Sequence, residues 1–332
     1  MKKKSNVLLL IFVTILVLYF SLKDNFKEVI KQIINMDIKY LLFAFILLFM
    51  FFIFKSLSMY LFCKKINKDF KFSQGFQVVL RTQFFNAVTP FATGGQPYQI
   101  YYLKKCNIDY ASSTGIVLEN FIVYQIALVL LGLIALFTNS IFNLFGNSNL
   151  LTKLIALGFI INTAVIVIMF LVAFSKKMNK KLISLGINIL TKLKLVKNKE
   201  EKLKDWDNNI NNFHNSAKEL LNDKKIFVGN IVFNFLALCL LYTIPLFVLY
   251  AMGEFNVMNI GVVIVSSAYV MLIGSFVPIP GGSGGLEFGF VTFYSNFITG
   301  SKLSALLLVW RFITYYFSMI LGAIALNIKK VK

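Results

Sequence analysis

Residues 276–290, FVPIPGGSGGLEFGF, separate two long apolar runs with Pro278, Pro280, Gly281, Gly282, Gly284 and Gly285, and they carry one carboxylate, Glu287. Proline and glycine at this density break a helix, and an ionisable group at membrane depth is expensive. The stretch therefore reads as an unwound turn set inside an otherwise helical, lipid-soluble chain.

The rest of the composition makes the bilayer the solvent. Of 332 residues, 58% are apolar and 36 are Phe, with a mean hydropathy of +0.75. A soluble domain has roughly 45–50% apolar residues. Apolar runs recur at 7–22, 40–62, 111–137, 154–174, 226–252, 257–277 and 303–326. Most reach the roughly 20 residues that cross a ~30 Å hydrocarbon core. The expected fold is all-α: a polytopic integral membrane protein of about seven full spans, forming a single domain over 1–332. The run at 7–22 follows a basic start and is followed by Ser21, Leu22, Lys23 and Asp24, without a small-residue cleavage site, so it reads as an uncleaved first span. Cys63, Cys106 and Cys239 have no paired spacing and suggest neither a disulfide framework nor a zinc site.

The net charge of +20 is distributed as a topology signal. Lysines cluster at 2–4, 64–71, 104–105, 176–225 and 329–332, beside the apolar runs. This is the pattern of cytoplasmic loops, and it predicts a multi-pass protein of the cytoplasmic membrane with both termini inside. Lysine clusters there also meet anionic headgroups, so membrane phospholipid, and not nucleic acid, is the expected partner. Segment 176–225 holds thirteen Lys against six acidic residues, with Leu182, Ile183, Leu185, Ile187 and Ile189 at helical spacing; it reads as cytoplasmic amphipathic helices. Residues 23–39 mix charge and apolar side chains and are expected along the outer interface.

With the basic segments inside, residues 73–105 have like-sided ends and a break at TPFATGGQP (89–97). They read as a re-entrant hairpin, since non-helical backbone at membrane depth survives only inside protein or beside a watery cavity. Residues 257–299 repeat the pattern from the outside, with VPIPGGSGGLE (277–287) as the tip. The closing spans also align: ENFIVYQIALVLLGLIAL (119–136) beside WRFITYYFSMILGAIAL (310–326). The expectation is an inverted-topology repeat, residues 40–137 and 226–326, with two re-entrant hairpins.

Two such tips meeting near the midplane offer backbone N–H groups and helix N-termini, which suit a phosphate-bearing headgroup. Candidate headgroup-binding residues are Pro90, Thr93, Gly94, Gly95, Gln96 and Pro97 on the first tip. On the second they are Pro278, Pro280, Gly281, Gly282, Ser283, Gly284, Gly285 and Glu287. The competing reading of glycine is close helix packing, assigned to Gly132, Gly289 and Gly322. Five charges fall inside apolar runs: Lys55, Arg81, Glu119, Glu287 and Arg311. Lys55 lies about two turns from its span's basic end and is expected to snorkel out. Arg81 and Arg311 are the arginines among 34 Lys and Arg, which suggests a need for a two-pronged donor. They either contact phosphate or pair with Glu119 and Glu287, and the four charges are expected to converge with the tips. GGSGG (281–285) matches the hydrolase elbow formally, but the histidine, His214, lies in the charged segment. No catalytic group, metal or other cofactor is called for.

At TPFATGGQP and PIPGGSGGLE (278–287) the chain resembles the lysylphosphatidylglycerol synthase transmembrane region, the flippase part of the multiple peptide resistance factors. The resemblance covers nearly the whole chain. It implies movement of an aminoacylated phospholipid, lysyl-phosphatidylglycerol in type, to the outer leaflet, which in that family lowers surface negative charge and gives resistance to cationic peptides. Family members join this part to a cytoplasmic aminoacyltransferase domain; here the sequence stops at Lys332, so a stand-alone member served by a separate lipid-modifying enzyme is implied. Members tend to carry Glu-Arg after the first hairpin, whereas Glu119 is followed by Asn120. The leading reading is thus a flippase or scramblase for an anionic or aminoacylated phospholipid or related lipid-linked substrate, monomeric or homo-oligomeric. One alternative is a phosphatidylglycerol lysyltransferase-type enzyme, which needs a catalytic base. Another is a small-solute transporter, which needs a path closed to lipid.

Overall fold

The computed structural model describes residues 26–145, 149–175, 223–275 and 277–328, with Lys177 and Ser184. The expected span at 7–22 and nearly all of the lysine-rich segment 176–225 lie outside the described residues. Among the described residues the chain is helical, with no strand. In order, a short α1 (Phe26–Ile34) precedes α2 (Ile38–Ile66), and a broken pair follows, α3 (Phe72–Ala87) and α4 (Gly95–Lys105). Next come α5 (Tyr110–Phe142), α6 (Asn149–Phe174) and α7 (Lys224–Ala251). A second broken pair, α8 (Ile260–Gly274) and α9 (Gly285–Tyr294), leads to α10 (Gly300–Asn327), which contains a π turn at Phe312–Phe317.

Five of these, α2, α5, α6, α7 and α10, are long and apolar enough to cross a membrane. The reading of seven spans counted 257–277 as one. As a helix that run is only the 15 residues of α8, about 22 Å at 1.5 Å per residue and short of a ~30 Å core. Large apolar side chains face outward along the spans, among them Ile38, Phe43, Ile46, Phe137, Ile160 and Phe312. In water such a surface would aggregate; against hydrocarbon it is the required surface of a multi-pass membrane protein.

Helix starts follow local chemistry. Asp37, Asp109, Asp223 and Asn259 stand at N-caps and accept first-turn amides from Lys39 (2.8 Å), Ala111 (2.9 Å), Ile226 (3.2 Å) and Val262 (3.0 Å). Each supplies an acceptor that the first helical turn lacks. The Lys65 ammonium, and then the Ile226 amide, hold the Asp223 carboxyl below its usual range.

The helices cross-pack between the two parts of the chain. At one end of α2 the Asp37 amide donates to the Ala251 carbonyl of α7 (2.8 Å), and at the other Lys65 pairs with Asp223 (2.7 Å). Helices α2 and α7 therefore lie side by side and antiparallel. The arm α3 packs on the later part of α10, where Arg81 Nη2 donates to the Ile328 carbonyl (2.8 Å) and Tyr315 donates to the Ala87 carbonyl (3.0 Å). The arm α8 packs on α5 in the same manner, with Tyr269 donating to the Ala135 carbonyl (3.0 Å). The turns at Pro90–Ala92 and Pro280–Gly282 then rest against each other.

Two glycines at equal distances from these turns allow the close approaches. Gly132 on α5 faces Leu272 of α8, and Gly322 on α10 faces α3. A Cβ at Gly322 would lie 2.6 Å from the Phe84 nitrogen and 2.8 Å from the Leu80 oxygen, both backbone atoms that cannot give way. Overpacking of this kind costs about 1–3 kcal/mol. Gly322→Val should therefore lower the unfolding temperature in detergent, whereas Gly229→Val, with nothing within 4 Å of its site, should leave it unchanged.

Candidate functional site

The site grows from two turns with the same construction. Each begins with a proline, Pro90 or Pro280, and continues with two residues of positive φ: Phe91 and Ala92 (53° each), or Gly281 (67°) and Gly282 (61°). The next residue is Thr93 or Ser283, whose hydroxyl donates back to the proline carbonyl (2.9 and 3.1 Å). A Gly-Gly pair, Gly94–Gly95 or Gly284–Gly285, then opens the second arm. The matching strings PFATGG and PGGSGG were legible in the sequence as a register, a correspondence that reading each break separately does not reveal.

Both second arms have their cap amide occupied by the chain itself. The Gly94 amide donates to Thr89 Oγ1 (2.8 Å), and the Gly284 amide to Glu287 Oε2 (2.6 Å). The amides at these two caps are thus not free for an external anion in this conformation. Glu287 lies in the first turn of α9, where a negative charge suits the helix dipole.

Arg311 completes the second turn from α10. Its Nε lies 2.7 Å from Glu287 Oε1, off the N–H axis, so the contact is an ion pair. Its Nη2 donates to the Gly281 carbonyl and to Ser283 Oγ, each at 3.2 Å. The guanidinium also lies 4.6 Å from the centre of the Tyr315 ring. Both charged side chains are buried. Removing one partner of such a pair typically costs about 3–5 kcal/mol, because the other is left uncompensated. Beside the pair is a cavity of about 150 Å³, lined among others by Gly281, Arg311, Tyr315, Tyr242, Ser267 and Met271. Leu241 also lines it, and Pro245, inside α7, removes the helical partner of the Leu241 carbonyl. A second, apolar cavity of about 340 Å³ lies between α1, α2 and α10, lined by Ile33, Met36, Phe45, Leu308 and Phe312 among others.

The four expected charges do not converge. Arg81 is turned to the end of α10, where it caps the Ile328 carbonyl and covers the Tyr102 ring at 4.7 Å. Glu119 on α5 is fully buried, and neither oxygen has a hydrogen-bond partner among the described residues. The remaining tip candidates, Gln96 and Pro97 on α4 and Pro278 before the second turn, stay with their own turns. Lys55 does not snorkel. Its Nζ donates to Asn234 Oδ1 of α7 (2.6 Å) and lies 4.4 Å from the centre of the Tyr124 ring.

Paired broken helices meeting at their turns, within a bundle of antiparallel spans, define a class: a multi-pass helical membrane protein with a buried polar centre. The chain belongs to the lysylphosphatidylglycerol synthase TM region family, whose model matches residues 7–322. It is also 25% identical over 320 residues to a UPF0104 membrane protein of Archaeoglobus fulgidus, covering 88% of this chain and 87% of that one.

Gly281 is required twice, for its positive φ and because a Cβ there would lie 2.3 Å from the Tyr315 ring. Gly284, with φ +87° and open space around it, carries only the backbone requirement. Gly284→Ala should cost about 1–3 kcal/mol, because φ +87° with ψ −52° lies outside even the left-handed helical region. Gly281→Ala should cost a left-handed backbone share of about 1–2 kcal/mol plus the clash with Tyr315. In a Tyr315→Leu background the excess at Gly281 should disappear while the backbone share stays, as read by unfolding the four variants in one detergent.

Proposed function

We propose that the protein is a lipid flippase or scramblase of the cytoplasmic membrane, moving an anionic or aminoacylated phospholipid or a related lipid-linked substrate. The observation that carries this reading is the state of Glu287. Its carboxylate stands where a phosphate would, between the Arg311 guanidinium and the Gly284 amide that caps α9. A lipid phosphate entering the cavity exchanges with an internal anion already present. The exchange leaves Arg311 compensated throughout, which avoids a bare charge in low dielectric. The apolar cavity between α1, α2 and α10 suits acyl chains travelling with the headgroup. Membership of a family named for lysylphosphatidylglycerol supports a phospholipid partner.

In this reading residues 40–137 and 226–326 are inverted repeats, and 73–105 and 257–299 are re-entrant hairpins opening to opposite faces. Antiparallel α2 and α7, and the exchange of arms onto each other's closing helix, support it. The lysines at 64–71 and 104–105 support placing their face in the cytoplasm. Cysteines placed singly at Lys71 and Lys105 should react with an impermeant reagent from the same side of sealed vesicles. Labelling from opposite sides would remove the first hairpin.

The exchange itself is tested by two substitutions in vesicles carrying a fluorescent phosphatidylglycerol. Arg311→Lys keeps the charge and loses the two-pronged donor, so it should fold and lose most translocation. Glu287→Gln removes the internal anion, so it should retain more co-purifying anionic lipid by mass spectrometry while translocating more slowly. Parent-like behaviour of both variants would rule out the pair as the headgroup site.

A further inference from the structure

A second polar centre lies apart from the tips, where α2, α5 and α7 pack together. Asn120 Oδ1 accepts from Ser58 (3.0 Å), Asn234 donates to Ser58 Oγ (2.9 Å), and Lys55 donates to Asn234 (2.6 Å). Glu119, next to Asn120, is 0% exposed with both oxygens unpartnered, and Asn230 on α7 is 0% exposed with its side-chain oxygen and nitrogen unpartnered. Native proteins leave few buried polar groups unsatisfied, and each one found needs an explanation.

We propose that Glu119 is a proton-binding site, and that release of its proton draws Lys65 from Asp223. An ionised carboxylate buried without a donor or cation costs several kcal/mol. Glu119 therefore holds a proton or needs a cation beside it. A hard metal ion takes about six oxygen ligands, and among the described residues no group of three acidic, Cys or His side chains exists to begin such a set. Lys55 adds positive charge to the same interface, which further disfavours a metal. Glu119 lines neither cavity, so a lipid ammonium has no room to approach it there.

The ionisable groups on the packed elements are Lys39, Tyr40, Lys55, Tyr60, Cys63, Lys64 and Lys65 on α2, Tyr98, Tyr101, Tyr102, Lys104 and Lys105 on α4, and Tyr110 and Tyr124 on α5 itself. Lys153 on α6, Asp223 (the N-cap), Lys224, Lys225, Cys239, Tyr242 and Tyr250 on α7, and Tyr269 on α8 complete the set. Lys65 lies seven residues, about two helical turns, beyond Ser58 on α2 and so shares the face that meets Asn120, the neighbour of Glu119. In this structure it is engaged by Asp223 (2.7 Å) and is not within ion-pair distance of Glu119. That pair fastens one end of α2 to α7. A proton lost from Glu119 leaves a buried negative charge; Lys55 is held by Asn234 (2.6 Å) and the Tyr124 ring, and the cation that answers the charge is Lys65, which holds the fastening. Proton release and loosening of the α2–α7 junction are then a single event, with no bond broken other than the O–H.

The test uses the full chain in phosphatidylcholine nanodiscs, where no anionic lipid moves, so it stands independently of the lipid reading. Infrared difference spectra should show a protonated carboxyl band that is lost as the medium is made alkaline and is absent from Glu119→Gln. Spin labels at Asn67 and Lys225 should move apart with that loss in the parent and stay fixed in Glu119→Gln. Lys65→Met should retain the proton under conditions where the parent releases it. A band that persists in Glu119→Gln, or one that never titrates while the chain stays folded, overturns the proposal. So does a label spacing that changes equally in the parent and in Glu119→Gln.

Discussion

A break in a helix at membrane depth exposes backbone groups that hydrocarbon cannot satisfy. In the re-entrant reading proposed above, that constraint governs this molecule. Arms α3, α4, α8 and α9 are too short to span alone, so their turns must end inside protein. They end against each other. The turn hydroxyls Thr93 and Ser283, the caps Thr89 and Glu287, and the Arg311 donors then occupy the carbonyls and amides that the breaks release. Antiparallel α2 and α7 at the centre, each arm lying on the distant closing helix, is the arrangement that brings the two turns into contact.

What was legible in the sequence was what is local. Pro90, Pro280 and the glycine pairs announce breaks because their backbone limits hold in any context. The three-residue step from Gly284 to Glu287 is a cap spacing that reads without a structure. Pairings across the chain were not legible. Lys55 was assigned to the interface from its distance to the helix end, yet its acceptor, Asn234, lies 179 residues away. Arg81 was assigned to a lipid phosphate or to a carboxylate, the acceptors that a sequence suggests, whereas its acceptor in the fold is a backbone carbonyl at Ile328. Glu119 was placed with the tips for the same reason, and its environment depends on helices contributed by both parts of the chain.

The two turns share geometry but not charge. Counting from Gly95 and Gly285, Pro97 occupies the position of Glu287 and Phe121 that of Arg311, while Gly132 and Gly322 stay in register. All of the ionic chemistry therefore sits on the second turn. The first is neutral and apolar at its exposed point, Phe91, which together with Ala92 adopts the left-handed region that Gly281 and Gly282 reach without strain. Two non-glycine residues there cost about 1–2 kcal/mol each. The surrounding contacts must supply that energy, and the Tyr315 hydroxyl on the Ala87 carbonyl is one of them, reaching the first turn from the residue that also covers Arg311. Tyr315 lies within the π turn, a form that recurs at functional positions. Tyr315 therefore touches the end of the first arm and the charged tip at once, and a single aromatic side chain joins the two.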